Sequence, residues 1–162
     1  MKPGRCTALA ESWVGLPRGL RACVPLFGMA LLWWASSRSP SGAAPSPFGP
    51  LVHNSMHVVA YACLAASLWL TWSRRPVGAL QPMRSRGAWS VAALYGVVDE
   101  LHQSFVPGRD SSAFDVLSDA AGAALAVALL RGLLCAAPTW RRDAAFACVA
   151  ALVGVLAATY GG

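Results

Sequence analysis

Apolar residues in this chain gather into long, nearly unbroken runs instead of recurring at the i, i+3, i+4 spacing of a helix with one wet face. The runs are 16 to 23 residues long, hold almost no Lys or Arg, and are separated by short segments rich in Pro, Gly and Arg. A helix needs roughly 20 residues to cross a hydrocarbon layer about 30 Å thick. The pattern therefore predicts an all-α, polytopic membrane bundle of about five spans: Ala22–Ser37, Ser55–Ser73, Ala88–Val106, Ala113–Cys135 and Ala144–Tyr160. The first run also fits a signal peptide, since basic residues precede a short apolar stretch from Val24 to Ala35 and small residues follow. The expected organisation is a basic N-terminal segment over 1–21, a membrane domain over 22–135 and an additional span within 136–162.

Composition supports this reading. Of the 162 residues, 56% are apolar and only 12% charged, about half the charged share of an average soluble protein. That balance excludes a disordered chain, a disulfide-stapled secreted module and a conventional soluble enzyme. Cys6, Cys23, Cys63, Cys135 and Cys148 are widely spaced, with no CxxC pair, and read as small buried hydrophobes. Thirteen Lys and Arg stand against seven Asp and Glu, but nucleic-acid binding needs bases gathered on one exposed face. Here the bases punctuate the apolar runs, so the expected partner is a lipid bilayer and no nucleic acid.

The bases carry a topology signal, because loops rich in Lys and Arg stay cytoplasmic. With five spans, Lys2, Arg5, Arg18, Arg21, Arg74, Arg75, Arg84, Arg86, Arg131, Arg141 and Arg142 fall on one side, and only Arg38 and Arg109 fall on the other. An N-terminus inside and a C-terminus outside are expected. The linker Arg38–Asn54 and the turn near Pro107–Gly108 would then face outward.

Polar residues inside the apolar runs are the candidates for chemistry. Asp99, Glu100, His102 and Gln103 lie roughly 10 Å below the outer turn, counting 1.5 Å per residue. Asp115 and Asp119 share a helix face at i and i+4, as do His53 and His57. Asp110 reads as solvated, Asp115 is also an ordinary acid for the first turn of a helix, and Ser111 or Ser112 suits the N-cap. An ionisable group at a span's centre costs about 2.5 to 3.5 kcal/mol on insertion scales, and less near the interface. Three helices accepting such a cost at one level implies a shared interior site, with Arg109 as the expected counter-charge. Carboxylates with histidine suit a divalent ion such as zinc, manganese or magnesium. The same groups would also serve as general acid and base, or with Arg109 hold an anionic head group.

The run Asp99-Glu100-Leu101-His102-Gln103-Ser104-Phe105-Val106-Pro107-Gly108-Arg109, followed by Phe114-Asp115-Val116 and Asp119-Ala120-Ala121-Gly122, resembles the signature of the VanZ-like family of small bacterial membrane proteins. His57 and Tyr61 match that family's upstream His-x-x-x-Tyr element, while its preceding Asp-Lys pair is Asn54-Ser55 here. The resemblance covers about Ala22 to Leu134. It implies an integral protein of the bacterial cytoplasmic membrane with a cell-envelope role, and the family's founding member is associated with resistance to the glycopeptide teicoplanin.

Three functions are carried forward. The leading one is a VanZ-type envelope protein that binds, or acts on, a lipid-linked or anionic ligand at the outer face. In it Asp99, Glu100 and His102 are the catalytic candidates and His57, Gln103, Arg109, Asp115 and Asp119 the ligand-binding ones. The second is a metal-dependent membrane hydrolase acting on a lipid-linked substrate. The third is a structural protein whose buried polar network fixes helix register.

Overall fold

The computed structural model describes residues 5–39, 49–79, 82–109 and 111–160, among which there are six α-helices and no strand. They are α1 (Arg5–Val14), α2 (Arg18–Ser36), α3 (Gly49–Thr71), α4 (Pro82–Gln103), α5 (Ala113–Cys135) and α6 (Trp140–Tyr160). The five expected spans all coincide with helices, α2 to α6, of which four are long and apolar enough to cross a membrane.

Several helices begin earlier than hydropathy alone suggests, because a span need not be apolar in its first turn. Proline favours the first turn of a helix, where its missing N–H leaves no bond unmade. Pro82 opens α4 and Pro50 is the second residue of α3. The early start of α3 also moves His53 from loop to helix. α4 ends at Gln103, three residues short of expectation, in tight turns from Phe105 N–H to the His102 carbonyl and Val106 N–H to the Gln103 carbonyl. Gly108 then takes a φ of 78°, a conformation that glycine adopts without steric cost.

Helix α1 was not expected from the sequence. It buries Ala10 and Val14 against the core, and its Glu11 accepts a 2.6 Å hydrogen bond from the Val77 N–H while pairing with Arg75 at 3.5 Å. At ten residues and only weakly apolar overall, it is too short to resemble the long apolar runs by which the other helices stand out.

Cross-helix contacts show that α2 to α6 run alternately up and down. At one end Ser36 late in α2 meets Asp99 late in α4, His57 early in α3 meets Asp119 early in α5, and Asn54 meets Thr159 late in α6. At the other end Arg21 of α2 donates to the carbonyls of Leu70 and Ser73, Arg84 of α4 donates to the Ser73 hydroxyl, and Arg131 of α5 pairs with Asp143 of α6. Among the described residues the bases thus sort by end as expected, with Arg38 and Arg109 apart from the others. Arg21 also shows how a buried cation is accommodated here, on carbonyls at and just beyond the C-terminal end of α3, where the helix dipole favours positive charge.

Helices α2, α3, α5 and α6 are long and apolar enough to cross a membrane. The 22-residue α4 is less apolar, but it turns Arg84, Asp99, Glu100 and Gln103 into the bundle and leaves Leu94, Val97, Val98 and Leu101 outside. Leu26 and Phe27 of α2 and Phe146, Val149 and Leu152 of α6 also point outward. So large an apolar surface on one chain marks a protein embedded in lipid. Small residues line the interior instead, among them Ala65, Ala92, Ala123, Ala126 and Ala151, and they let helices approach closely where no hydrophobic effect drives them together. At Gly122 a Cβ would collide with the Val58 carbonyl, so α5 meets the bare backbone of α3 there.

Candidate functional site

At the end poor in arginine, three helices turn their polar residues toward one another. On α4, Asp99, Glu100 and Gln103 occupy one buried arc. The Gln103 amide, one turn after Asp99, donates to Asp99 Oδ2 at 3.1 Å and to Glu100 Oε1 at 3.2 Å. The other oxygen of Asp99 accepts the Ser36 hydroxyl of α2 at 2.5 Å. The other oxygen of Glu100 accepts the Ser112 N–H at 2.9 Å, and the Ser112 hydroxyl caps α5 by accepting the Phe114 N–H. Glu100 therefore places a carboxyl oxygen at the positive end of α5, where the helix dipole favours it.

On α5, Asp115 and Asp119 face inward one turn apart, both buried. His57 of α3 places Nδ1 3.0 Å from Asp119 Oδ1. Below it, fully buried Tyr61 lies parallel to the imidazole, with ring centroids 6.4 Å apart. The close fit extends to α4, where a Cβ on Gly96 would sit 2.8 Å from Asp119 Oδ2. Asp115 Oδ1, Asp119 Oδ2 and the Tyr61 hydroxyl are buried without a hydrogen-bond partner. Among the described residues no Lys or Arg pairs with these four carboxylates, and His57 is their one ionic neighbour. Each of His57, Glu100 and Asp119 offers a ligand atom within 4.8 Å of the others.

Above the cluster a cavity of about 480 Å³ opens at the helix ends, lined by His53, Asn54, Gln103, Arg109, Ser112 and Asp115 among others. A smaller one of about 230 Å³ adjoins it, walled by Ser36 and Ala35 of α2 and by Met56 and His57 of α3, and shares His53, Gln103 and Arg109. The cluster is thus a polar floor, and the cavities its approach.

Seven of the eight singled-out residues line this site and one does not. His57, Asp99, Glu100, Gln103, Asp115 and Asp119 converge, and Arg109 stands at the rim. Arg109 is not the counter-ion of the acids: it donates to the carbonyls of Arg38 and Ala35, both at 3.0 Å, and so caps the end of α2. His102 turns away from the cluster, stacking on Trp33 at 3.8 Å and meeting the Ser37 hydroxyl at 2.9 Å. Asp110 lies outside the described residues.

A family model described as VanZ/LLP1 matches residues 21–135. The chain belongs to the VanZ/LLP1 family. The matched stretch runs from α2 through α5 and holds every carboxylate of the cluster, together with His57 and Ser36; α6 adds Ala158 in the cavity wall and the contact of Thr159 with Asn54. No curated protein and no solved structure matches the chain. Within this VanZ-family bundle the sequence reading missed Ser36, Gly96 and the bond of Asn54. Ser36 was read as a small residue near a cleavage site and gave no signal. Gly96 had one, as a glycine inside a span one turn before two acids.

Proposed function

We propose that this VanZ-family protein serves the bacterial cell envelope from the cytoplasmic membrane. Its N-terminus would be inside and its C-terminus outside, with the polar cleft presented to a lipid-linked or anionic ligand at the outer face. The observation that carries this reading is the separation of charge along the bundle: the cleft with its carboxylates opens at the end opposite Arg21, Arg84 and Arg131, with only Arg38 and Arg109 on its own side among the described bases. By the positive-inside rule the basic end belongs in the cytoplasm. A cavity of about 480 Å³ is within the range of small-ligand sites, and its opening beside the helix ends suits a head group still attached to lipid. Arg109 supplies a cation at the rim for such a head group and His53 a ring nitrogen beside it, and Glu100 and Asp119 lie beneath them.

Resistance to a teicoplanin-type glycopeptide is the phenotype this reading leads to, because such compounds act on cell-wall precursors outside the membrane. Expression in a glycopeptide-susceptible bacterium is expected to raise the inhibitory concentration of teicoplanin. Glu100→Gln at equal membrane abundance is expected to remove the gain. Susceptibility unchanged by the wild-type chain would overturn the resistance reading, and a fully active Glu100→Gln would take the cluster out of it.

A structural role for part of the network is favoured by one chain of bonds, from Ser36 through Asp99, Gln103 and Glu100 to Ser112, which ties α2, α4 and α5 together. In this division of labour Asp99 and Gln103 hold the helices in register and orient Glu100.

A further inference from the structure

We propose that His57, Glu100 and Asp119 form a binding site for one divalent transition-metal cation, of the manganese or zinc type, in the floor of the cleft. The three residues come from α3, α4 and α5, so the site exists only in the folded bundle. One imidazole with two carboxylates is a nitrogen and oxygen donor set that suits Zn²⁺ and Mn²⁺; calcium prefers six to eight oxygens and no nitrogen.

Geometry supports the assignment independently of residue type. Donors bonded to such an ion at about 2.1 Å stand roughly 3 Å apart when they are neighbours in its coordination shell. His57 Nδ1 and Asp119 Oδ1 are 3.0 Å apart, and the whole set lies within 4.8 Å, so small side-chain rotations close the remaining gap. The Asp119 side chain is completely buried, yet its Oδ2 has no hydrogen-bond partner. A buried unsatisfied carboxylate oxygen is costly, and a metal ion would satisfy it. The lack of a Cβ at Gly96 gives that oxygen its room on the α4 side. Asp99 stands outside this set: the three side chains whose donor atoms all lie within 4.8 Å of one another are His57, Glu100 and Asp119. Asp115, one turn nearer the mouth and with Oδ1 also unpartnered, lines the route by which a hydrated ion would enter. Three protein ligands leave coordination positions free for water or for a ligand in the cleft.

Full-length protein in detergent, stripped with a chelator and dialysed, is titrated with Mn²⁺ by isothermal calorimetry. Manganese is used because the thiols of Cys6, Cys23, Cys63 and Cys148, which lie on the outside of the bundle and not buried within it as expected, favour zinc. Wild type is expected to take up one equivalent and to melt at a higher temperature when loaded. Glu100→Gln and His57→Gln are each expected to weaken binding by about 100-fold or more, while His102→Ala binds as wild type does. No saturable uptake near one equivalent by wild type would overturn the site, as would undiminished affinity in Glu100→Gln. The wild-type titration decides even if a substituted chain fails to fold. Metal bound at one equivalent by a chain that leaves glycopeptide susceptibility unaltered would keep this site and remove the resistance reading alone.

Discussion

Asp99 and Arg109 show how much of a side chain's role depends on partners that sequence does not name. Asp99 was visible as an acid inside an apolar run; that its two oxygens are taken by Ser36 and Gln103 was not, because Ser36 lies 63 residues away on another helix. Replacing it by Ala leaves Ser36 only the Leu32 carbonyl and Gln103 only Glu100 as acceptors, so the tie between α2 and α4 is lost, at about 0.5 to 1.5 kcal/mol for each bond removed. Asp99→Ala should therefore lower the melting temperature in detergent, and an unchanged melting temperature would argue against the network. Arg109 was expected to face the acids, but the free carbonyls at the end of α2 compete for its guanidinium and win. Arg109→Ala is expected to cost about 0.3 to 1 kcal/mol in the same melting assay and to leave expression intact. His102 departs from the cluster for a simple reason: at about 100° per residue it lies roughly 100° round α4 from the middle of the arc made by Asp99, Glu100 and Gln103.

The spans themselves were the most legible elements, since a run of apolar residues long enough to cross a bilayer is a strong signal. Helix α5 matched its expected bounds at Ala113 and Cys135, where Ser112 caps one end and Ala136 closes the other in a left-handed conformation with φ 48°. Helix starts were read too late wherever the first turn carried His or Arg, as in α3 and α4. Which faces meet was not legible, because almost every position of a lipid-facing span is apolar and the distinguishing feature is size. Gly122→Ala tests this, since its Cβ would collide with the Val58 carbonyl; a cost of about 1 to 3 kcal/mol, typical of overpacking, should appear as a lower melting temperature. Gly28, inside α2, has only an ordinary contact at 3.9 Å with Leu64. Gly28→Ala should be neutral, or stabilising by up to about 1 kcal/mol through helix propensity. Equal effects at the two glycines would mean that α3 and α5 do not meet as described.

For the molecule as a whole, the scarcity of charge and its uneven distribution carry the account. Small residues, buried acids and a few large side chains such as Tyr61 and Trp69 occupy the interior, most bulky apolar residues the exterior, and nearly all the described bases one end. The polar cleft lies at the other end, and the proposed function rests on that end facing outward. The most direct measurement places a single cysteine at Ser111, an exposed residue beside the mouth of the cleft, in a chain whose five native cysteines are replaced by Ala. Intact cells are then treated with a membrane-impermeant maleimide. Labelling of intact cells, matching that after lysis, is the predicted result. Labelling that appears only after lysis would put the cleft in the cytoplasm and contradict the proposed function.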